Sequence, residues 1–297
     1  MRFMMLLKSD ANAEAGVVPD EKLLTEMGNY NQAMVDARVM VGGEGLHPSS
    51  RGARIRIERG KTTVTDGPFA EAKEVVAGYF LMQTSSKAEA IAWAKRLPGG
   101  DAQGEGHIEL RQLYETEDFE VDPAEQPGGW RDRETAMREA PPAAGPEKGR
   151  RYISFLKADR NTESEMKPSE KLLSEMGGLV QEMAEKGVLI SGDGLRASSH
   201  GARLTFKNGK VTVTDGPFVE TKELIAGFSM YRAKTKAEAI EWARRCLQIH
   251  IDGTGIEAGE IEVREVFETD DIPVASEEKP GGWRDQEKQL RERLAGV

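Results

Sequence analysis

Short apolar runs separated by polar, glycine-rich stretches set the rhythm of this chain. Phe3–Leu7 and Tyr152–Leu156 read as strands. After each, a polar loop leads to a proline, Pro19 or Pro168, where a helix is predicted to begin with acidic residues in its first turn. Leu23, Met27, Tyr30 and Met34 recur at helical spacing, as do Leu172, Met176, Leu179 and Met183. Val39–Val41 and Val188–Ile190 read as short strands. Arg54–Glu58 and Thr62–Thr65 suggest a hairpin around Arg59-Gly60, and Arg203–Lys207 with Val211–Thr214 suggest another around Asn208-Gly209, a strong hairpin signal. Val75–Met82 and Leu224–Tyr231 are the most β-like segments. Capping boxes, Ser86-Lys87-Ala88-Glu89 and Thr235-Lys236-Ala237-Glu238, open a second helix in each series. Ile108–Tyr114 and Ile261–Phe267 then alternate and close each series as strands.

The pattern is written twice. Asp66-Gly67-Pro68-Phe69 returns 149 residues later as Asp215-Gly216-Pro217-Phe218, and the same offset carries Lys22-Leu23-Leu24 onto Lys171-Leu172-Leu173. Trp130 matches Trp283 at an offset of 153, so copy two holds four extra residues near Gln248–Gly255. A Pro- and Ala-rich stretch, 140–146, reads as an exposed linker. The expected organisation is a module over 1–122, an arm and linker over 123–149, a second module over 150–275 and a C-terminal arm over 276–297. Strand, helix, strands, helix, strand is a ferredoxin-like α+β order with an added hairpin. Both helices should cover one face of an antiparallel sheet, leaving the other face to a partner. The second copy is that expected partner, paired about a pseudo-two-fold axis and favoured by the tether.

Composition narrows the function. The 297 residues carry 41 Lys plus Arg against 51 Asp plus Glu, a net charge of −10 that argues against nucleic-acid binding. Only 38% of residues are hydrophobic and no apolar run nears 18 residues, so no membrane span is expected. A charge appears too early in Met1–Lys8 for a signal peptide. Cys246 is the single cysteine, which excludes an internal disulfide and fits a reducing cytoplasm.

The densest match between copies is DGPFAEAKEVVAG against DGPFVETKELIAG. Two readings stand side by side. In one, Asp66 and Asp215 cap a turn while Phe69 and Phe218 plug the core. In the other, Asp66 and Asp215 are acid–base groups, and Phe69, Glu71 and Lys73 with Phe218, Glu220 and Lys222 wall a ligand pocket. Glu44 and Asp193 join the pocket candidates, as do Arg54 and Arg203, which could each clamp a ligand carboxylate. Gly42-Gly43-Glu44-Gly45 leads into a strand and so lacks the context of a nucleotide loop. His47 aligns with Arg196, His200 with Arg51 and His107 with Glu260, while His250 falls in the insertion, so no histidine recurs. No zinc-type ligand set or cofactor is expected and no metal site is assigned, while an oxygen-ligated Mg²⁺ or Ca²⁺ on Glu44 or Asp66 stays compatible with the sequence. Glycine inside both first helices, Gly28 and Gly177, predicts close approach of a neighbouring element. The repeated Pro-Gly-Gly-Trp-Arg-Asp predicts that each arm docks its tryptophan, Trp130 or Trp283, on a domain surface.

The DGPF segments, preceded by Gly43-Glu44-Gly45-Leu46 and Gly192-Asp193-Gly194-Leu195, resemble the YCII-related (DGPF-domain) family over roughly 1–120 and 150–273. The resemblance implies a dimeric α+β barrel, here formed within one chain, with a ligand cleft between the sheets. Some members of the wider superfamily catalyse lyase or dehydrohalogenase reactions on small cyclic compounds with a His–Asp pair. DGPF genes often lie beside those of alternative sigma factors. The expected function is small-molecule binding in the inter-sheet cleft, with lyase- or isomerase-type acid–base chemistry and an anionic ligand if the arginines hold it. The alternative is a non-catalytic regulatory or protein-interaction module tied to transcription control.

Overall fold

The computed structural model describes residues 1–70, 74–100, 105–118, 149–219, 223–271 and 283–295. Copy one runs β1 (Arg2–Lys8), α1 (Ala11–Glu14), α2 (Glu21–Asp36), β2 (Met40–Gly45), β3 (Ala53–Glu58), β4 (Lys61–Asp66), β5 (Val76–Gln83), α3 (Lys87–Ala94) and β6 (Glu105–Gln112). Copy two repeats the order as β7 (Arg150–Lys157), α4 (Arg160–Glu163), α5 (Glu170–Glu185), β8 (Leu189–Gly194), β9 (Ala202–Lys207), β10 (Lys210–Asp215), β11 (Ile225–Ala233), α6 (Lys236–Thr254) and β12 (Ala258–Glu265). A last helix, α7 (Trp283–Ala295), follows.

Local chemistry accounts for the element ends. Asp20 and Ser169, each one residue past the predicted proline start, accept from the amides of Leu23 and Leu172 as N-caps. Ser86 and Thr235 cap α3 and α6 in the same way. Arg59-Gly60 and Asn208-Gly209 both take positive φ, as two-residue hairpin turns of this hand demand. The extra residues of copy two are helical: α6 has 19 residues where α3 has 8.

Two six-stranded antiparallel sheets result, ordered β10-β9-β6-β1-β5-β2 and β4-β3-β12-β7-β11-β8. The hairpins have changed sides: β3–β4 of copy one extends the sheet of copy two through β12, and β9–β10 extends that of copy one through β6. Alternation along β3 puts Ile55 and Ile57 among the core residues beneath α5 and α6, while Leu204 and Phe206 of β9 join the core beneath α2 and α3. A third apolar layer, including Leu6, Tyr79, Phe155 and Phe228, fills the space between the sheets. The ladders remain separate, stitched at their corners by the isolated bridges Leu46–Val266 and Leu113–Leu195. Among the described residues no helix is long and apolar enough to cross a membrane.

Beside this layer the exchanged register creates buried ion pairs. Arg54 stands opposite Glu262, with Nε 3.0 Å from its carboxylate, and Arg203 meets Glu109 at 3.0 Å. Burial pushes the Glu262 carboxyl up, but Lys157, Arg264 and Arg54 together hold it below the usual range. Glu109 is likewise held down against burial by Lys8, Arg111 and Arg203. Their stabilisation is complete above the unfolded value of 4.5 and is lost as pH falls through the lower folded values. His47 acts in the same direction at higher pH. Burial lowers its pKa from 6.5, so protonation below that value favours the unfolded chain. Urea titrations should therefore show a midpoint that begins to fall as pH drops below 6.5 and falls steeply below 4.5; a midpoint constant down to pH 4 contradicts this assignment.

Candidate functional site

The sequence-derived candidates fall in separate places. Asp66 and Asp215 sit on the surface, each carboxylate 72% exposed and paired across copies, Asp66 with Lys236 at 2.6 Å and Asp215 with Lys87 at 2.7 Å. Neither lines either cavity described below. Glu44 and Asp193 are half-buried clamps between copies, Glu44 on Arg151 and Arg291, and Asp193 on Arg2 at 3.0 Å, and Asp193 also lines the larger cavity described below. Arg54 and Phe69 do come together: the guanidinium lies 4.1 Å over the ring, and Arg203 covers Phe218 at 4.2 Å. Arg54 and Phe69 line a depression of about 340 Å³ with Thr63 and Thr65. Since Arg54 and Arg203 already bind Glu262 and Glu109, clamping a ligand carboxylate would compete with these pairs. Glu71, Lys73, Glu220 and Lys222 lie outside the described residues.

The DGPF turn packs against the Ser-Ser turn that precedes β3 or β9. A Cβ on Gly67 would stand 1.9 Å from the Ser49 carbonyl oxygen, and one on Gly216 equally close to that of Ser198. The Phe69 and Phe218 amides donate to the hydroxyls of Ser49 and Ser198, which in turn donate to Glu14 and Glu163. No side chain fits at these glycines, so a structural demand accounts for Gly67 and Gly216 in the repeated motif.

The large cavity lies elsewhere. About 890 Å³ opens between α5, the helix-covered face of copy two's sheet and edge strand β8. Comparison of the copies explains it. Met5 and Phe80 are buried among Tyr30 and Met34 beneath α2, whereas the corresponding residues, Ser154 and Ser229, line the cavity beneath α5. Leu179 replaces Tyr30. Two serines in place of a methionine and a phenylalanine remove much of the filling that a close-packed core requires. The inter-sheet space expected to hold the ligand cleft is instead filled by the apolar residues of the third layer and, beside them, by buried Glu109, Arg111, Glu262 and Arg264. The cavity is therefore on the helix side.

The lengthened α6 supplies the chemistry at the cavity wall. His250 lines it, and its Nε2 lies 2.7 Å from Oδ2 of Asp159, the N-cap of α4. Burial pushes the Asp159 carboxyl up, but the hydrogen bond from His250 and the amides of α4 outweigh it and hold the group ionised. A carboxylate at Nε2 fixes the tautomer with the proton there and leaves Nδ1 as the basic nitrogen. Cys246 also lines the cavity, but burial pushes its thiol up to about 11, so it is no thiolate nucleophile at neutral pH. A second His–Asp pair, His47–Asp271 at 3.0 Å, lines neither cavity. It is locked between Arg51 and Arg150, with the His47 ring 3.9 Å from that of Phe267. Among the described residues no group of three or more His, Cys, Asp or Glu could hold a metal ion.

Comparison with known proteins places the chain. The model of the YCII-related domain family matches residues 1–117 and 151–270. The chain belongs to this family, twice over. An uncharacterised protein of Rhizobium meliloti (strain 1021) is 32% identical over 94 residues, which are 32% of this chain and 75% of that protein. A solved structure titled "Crystal structure study of anthrone oxidase-like protein" aligns with a TM-score of 0.31 and 11% identity over 90% of this chain and 91% of that one.

In this YCII-related protein the replacement of Met5 and Phe80 by Ser154 and Ser229 marks where the copies part and the cavity opens. Ser154, Ser229 and the His250–Asp159 pair carry no repeat signal, because they do not recur as a set in copy one. The signal was present as mismatch: two large apolar residues against two serines, and a histidine inside the inserted turn. The expected tryptophan docking falls partly outside the described residues, which exclude Trp130 and the side chain of Trp283. The arm of copy two does dock on copy one, through Leu290 and Leu294 of α7. Gln286 of α7 reaches within 2.6 Å of where a Gly28 Cβ would sit, the close approach that this glycine predicts, while nothing lies within 4 Å at Gly177.

Proposed function

We propose that this YCII-related protein binds a small, mainly apolar molecule in the cavity beneath α5 and uses the His250–Asp159 pair to move a proton on it. The replacement of Met5 and Phe80 by Ser154 and Ser229 carries the reading. A volume of about 890 Å³, bordered mainly by apolar side chains with a few polar groups, has the character of a small-molecule site. Asp159 orients the imidazole and keeps its proton at Nε2, and Nδ1 takes or returns the substrate proton, as acid–base lyase and isomerase chemistry requires. Copy one then serves as scaffold: it has no histidine at the position of the inserted helical turn, and its core is closed.

Filling copy two with the residues copy one already uses tests this. Titrated with the neutral fluorophore N-phenyl-1-naphthylamine, Ser154→Met/Ser229→Phe should bind at least about tenfold more weakly than wild type, because the inserted atoms occupy the apolar volume. Equal affinity in a folded variant would sink the cavity assignment. Any compound that wild type converts should still bind to His250→Gln but should lose turnover by about 10²–10⁴-fold, the usual share of a general base.

A further inference from the structure

The two copies differ in what borders the first long helix. On copy one, α7 lies against α2, with Leu290 only 5% exposed in the same cluster as Met5, Met40 and Phe80. Arg291 donates to both carboxylate oxygens of Glu44, at 3.0 and 2.8 Å, and Arg293 meets Asp36 at 3.0 Å. The counterparts of Gly28, Met34, Met40 and Glu44 are Gly177, Met183, Leu189 and Asp193, and all four line the copy-two cavity. The helix α7 thus occupies the place on copy one that corresponds to the mouth of the ligand cavity on copy two.

We infer that copy one carries a second apolar binding groove, between α2 and β2, in which α7 acts as an intramolecular competitor for a neutral apolar ligand. The inference rests on the reading of copy two as a small-molecule site and extends it to regulation. The hold of α7 rests on few contacts for a helix of 13 residues, the strongest being the Arg291 clamp on Glu44. Leu290 is its one buried side chain among those described, and the Arg293–Asp36 pair is exposed, so it contributes little. A helix this short is marginal without its seat. Its advantage is the tether, which supplies a high local concentration rather than a tight fit. Met5 and Phe80 still fill the deeper space, so the groove is shallower than its counterpart and takes the same class of molecule more weakly.

The test uses full-length chains. Leu290→Asp/Arg291→Glu places carboxylates against Glu44 and the apolar groove, and should release α7. In the Ser154→Met/Ser229→Phe background, where copy two is filled, this release should restore saturable N-phenyl-1-naphthylamine binding to one site, at least tenfold tighter than in the background alone. In otherwise wild-type protein it should raise the stoichiometry from one to two. Leu290→Ala, a milder change that keeps Arg291 on Glu44, should give an intermediate gain. Circular dichroism and a cooperative urea transition establish that each variant is folded. Folded variants that show no gain in either background overturn the competitor role. Unimpaired binding by Ser154→Met/Ser229→Phe alone instead counts against the copy-two site, so the two failures are distinguishable.

Discussion

Replacing Arg264 with methionine should lower the unfolding free energy by about 3–5 kcal/mol, the cost of leaving a buried charge without its partner. Arg264 lies on β12 with its side chain 1% exposed. One terminal nitrogen donates to the Val76 carbonyl at 2.9 Å and to Glu262 at 3.2 Å, and the other donates to the His47 carbonyl at 2.6 Å. Val76 and His47 belong to copy one, so a single guanidinium holds the backbone of one copy to a strand of the other. Without it two buried carbonyls lose a donor, and among the described residues Glu262 keeps Arg54 and Lys157 as cationic partners. Urea denaturation of the variant against wild type measures the loss, and Arg111→Met, at the equivalent place, should match it. A loss below 1 kcal/mol would mean that the buried charges do not hold the copies together.

Ile55→Ala should cost about 2–5 kcal/mol, as truncating a buried isoleucine does, and the damage should appear in the other copy. Ile55 is a copy-one residue with no exposed surface, yet it packs with Tyr152, Leu247 and Ile261 of copy two. Hydrogen exchange should therefore speed up first in α6 and β12, with α2 and α3 less affected. Leu204→Ala, its mirror on β9, should loosen α2 and α3 instead. Faster exchange confined to the mutated residue's own copy would contradict the exchanged hairpins.

The duplication, the order of the strands and long helices within each copy and both hairpins are legible in the sequence because they rest on local rules: alternation, capping residues and positive-φ turns. The short α1 and α4 fall where the sequence reads as polar loop, and α7 where it reads as an arm. The hairpin exchange is not legible. Alternation along Ala53, Ile55 and Ile57 identifies a buried face, but β6 offers Ile108 and Leu110 where β12 offers Ile261 and Val263, so either strand satisfies it. Spatial proximity of the copies makes that choice, and no short window of residues carries it. Within the repeated Asp-Gly-Pro-Phe, the glycine's contact with the Ser49 or Ser198 backbone accounts for Gly67 and Gly216, while Asp66 and Asp215 sit exposed on the surface. The cavity is marked by no repeat. It arises where the copies stopped matching, at Met5/Ser154, at Phe80/Ser229 and in the helical turn that brings His250 to Asp159.

Disulfide trapping across the exchanged strands tests the architecture most directly. Arg56 stands opposite Glu260 of β12 in the observed register, and an antiparallel pair of this kind brings Cα atoms within disulfide range. In a Cys246→Ser background, which removes the single native thiol, Arg56→Cys/Glu260→Cys should oxidise to a disulfide whose linked peptides appear by mass spectrometry. Arg56→Cys/His107→Cys, the pair a hairpin folded onto its own copy would bring together, should keep both thiols reduced. Closure of the His107 pair, with the Glu260 pair left open, would show that each copy keeps its own hairpin.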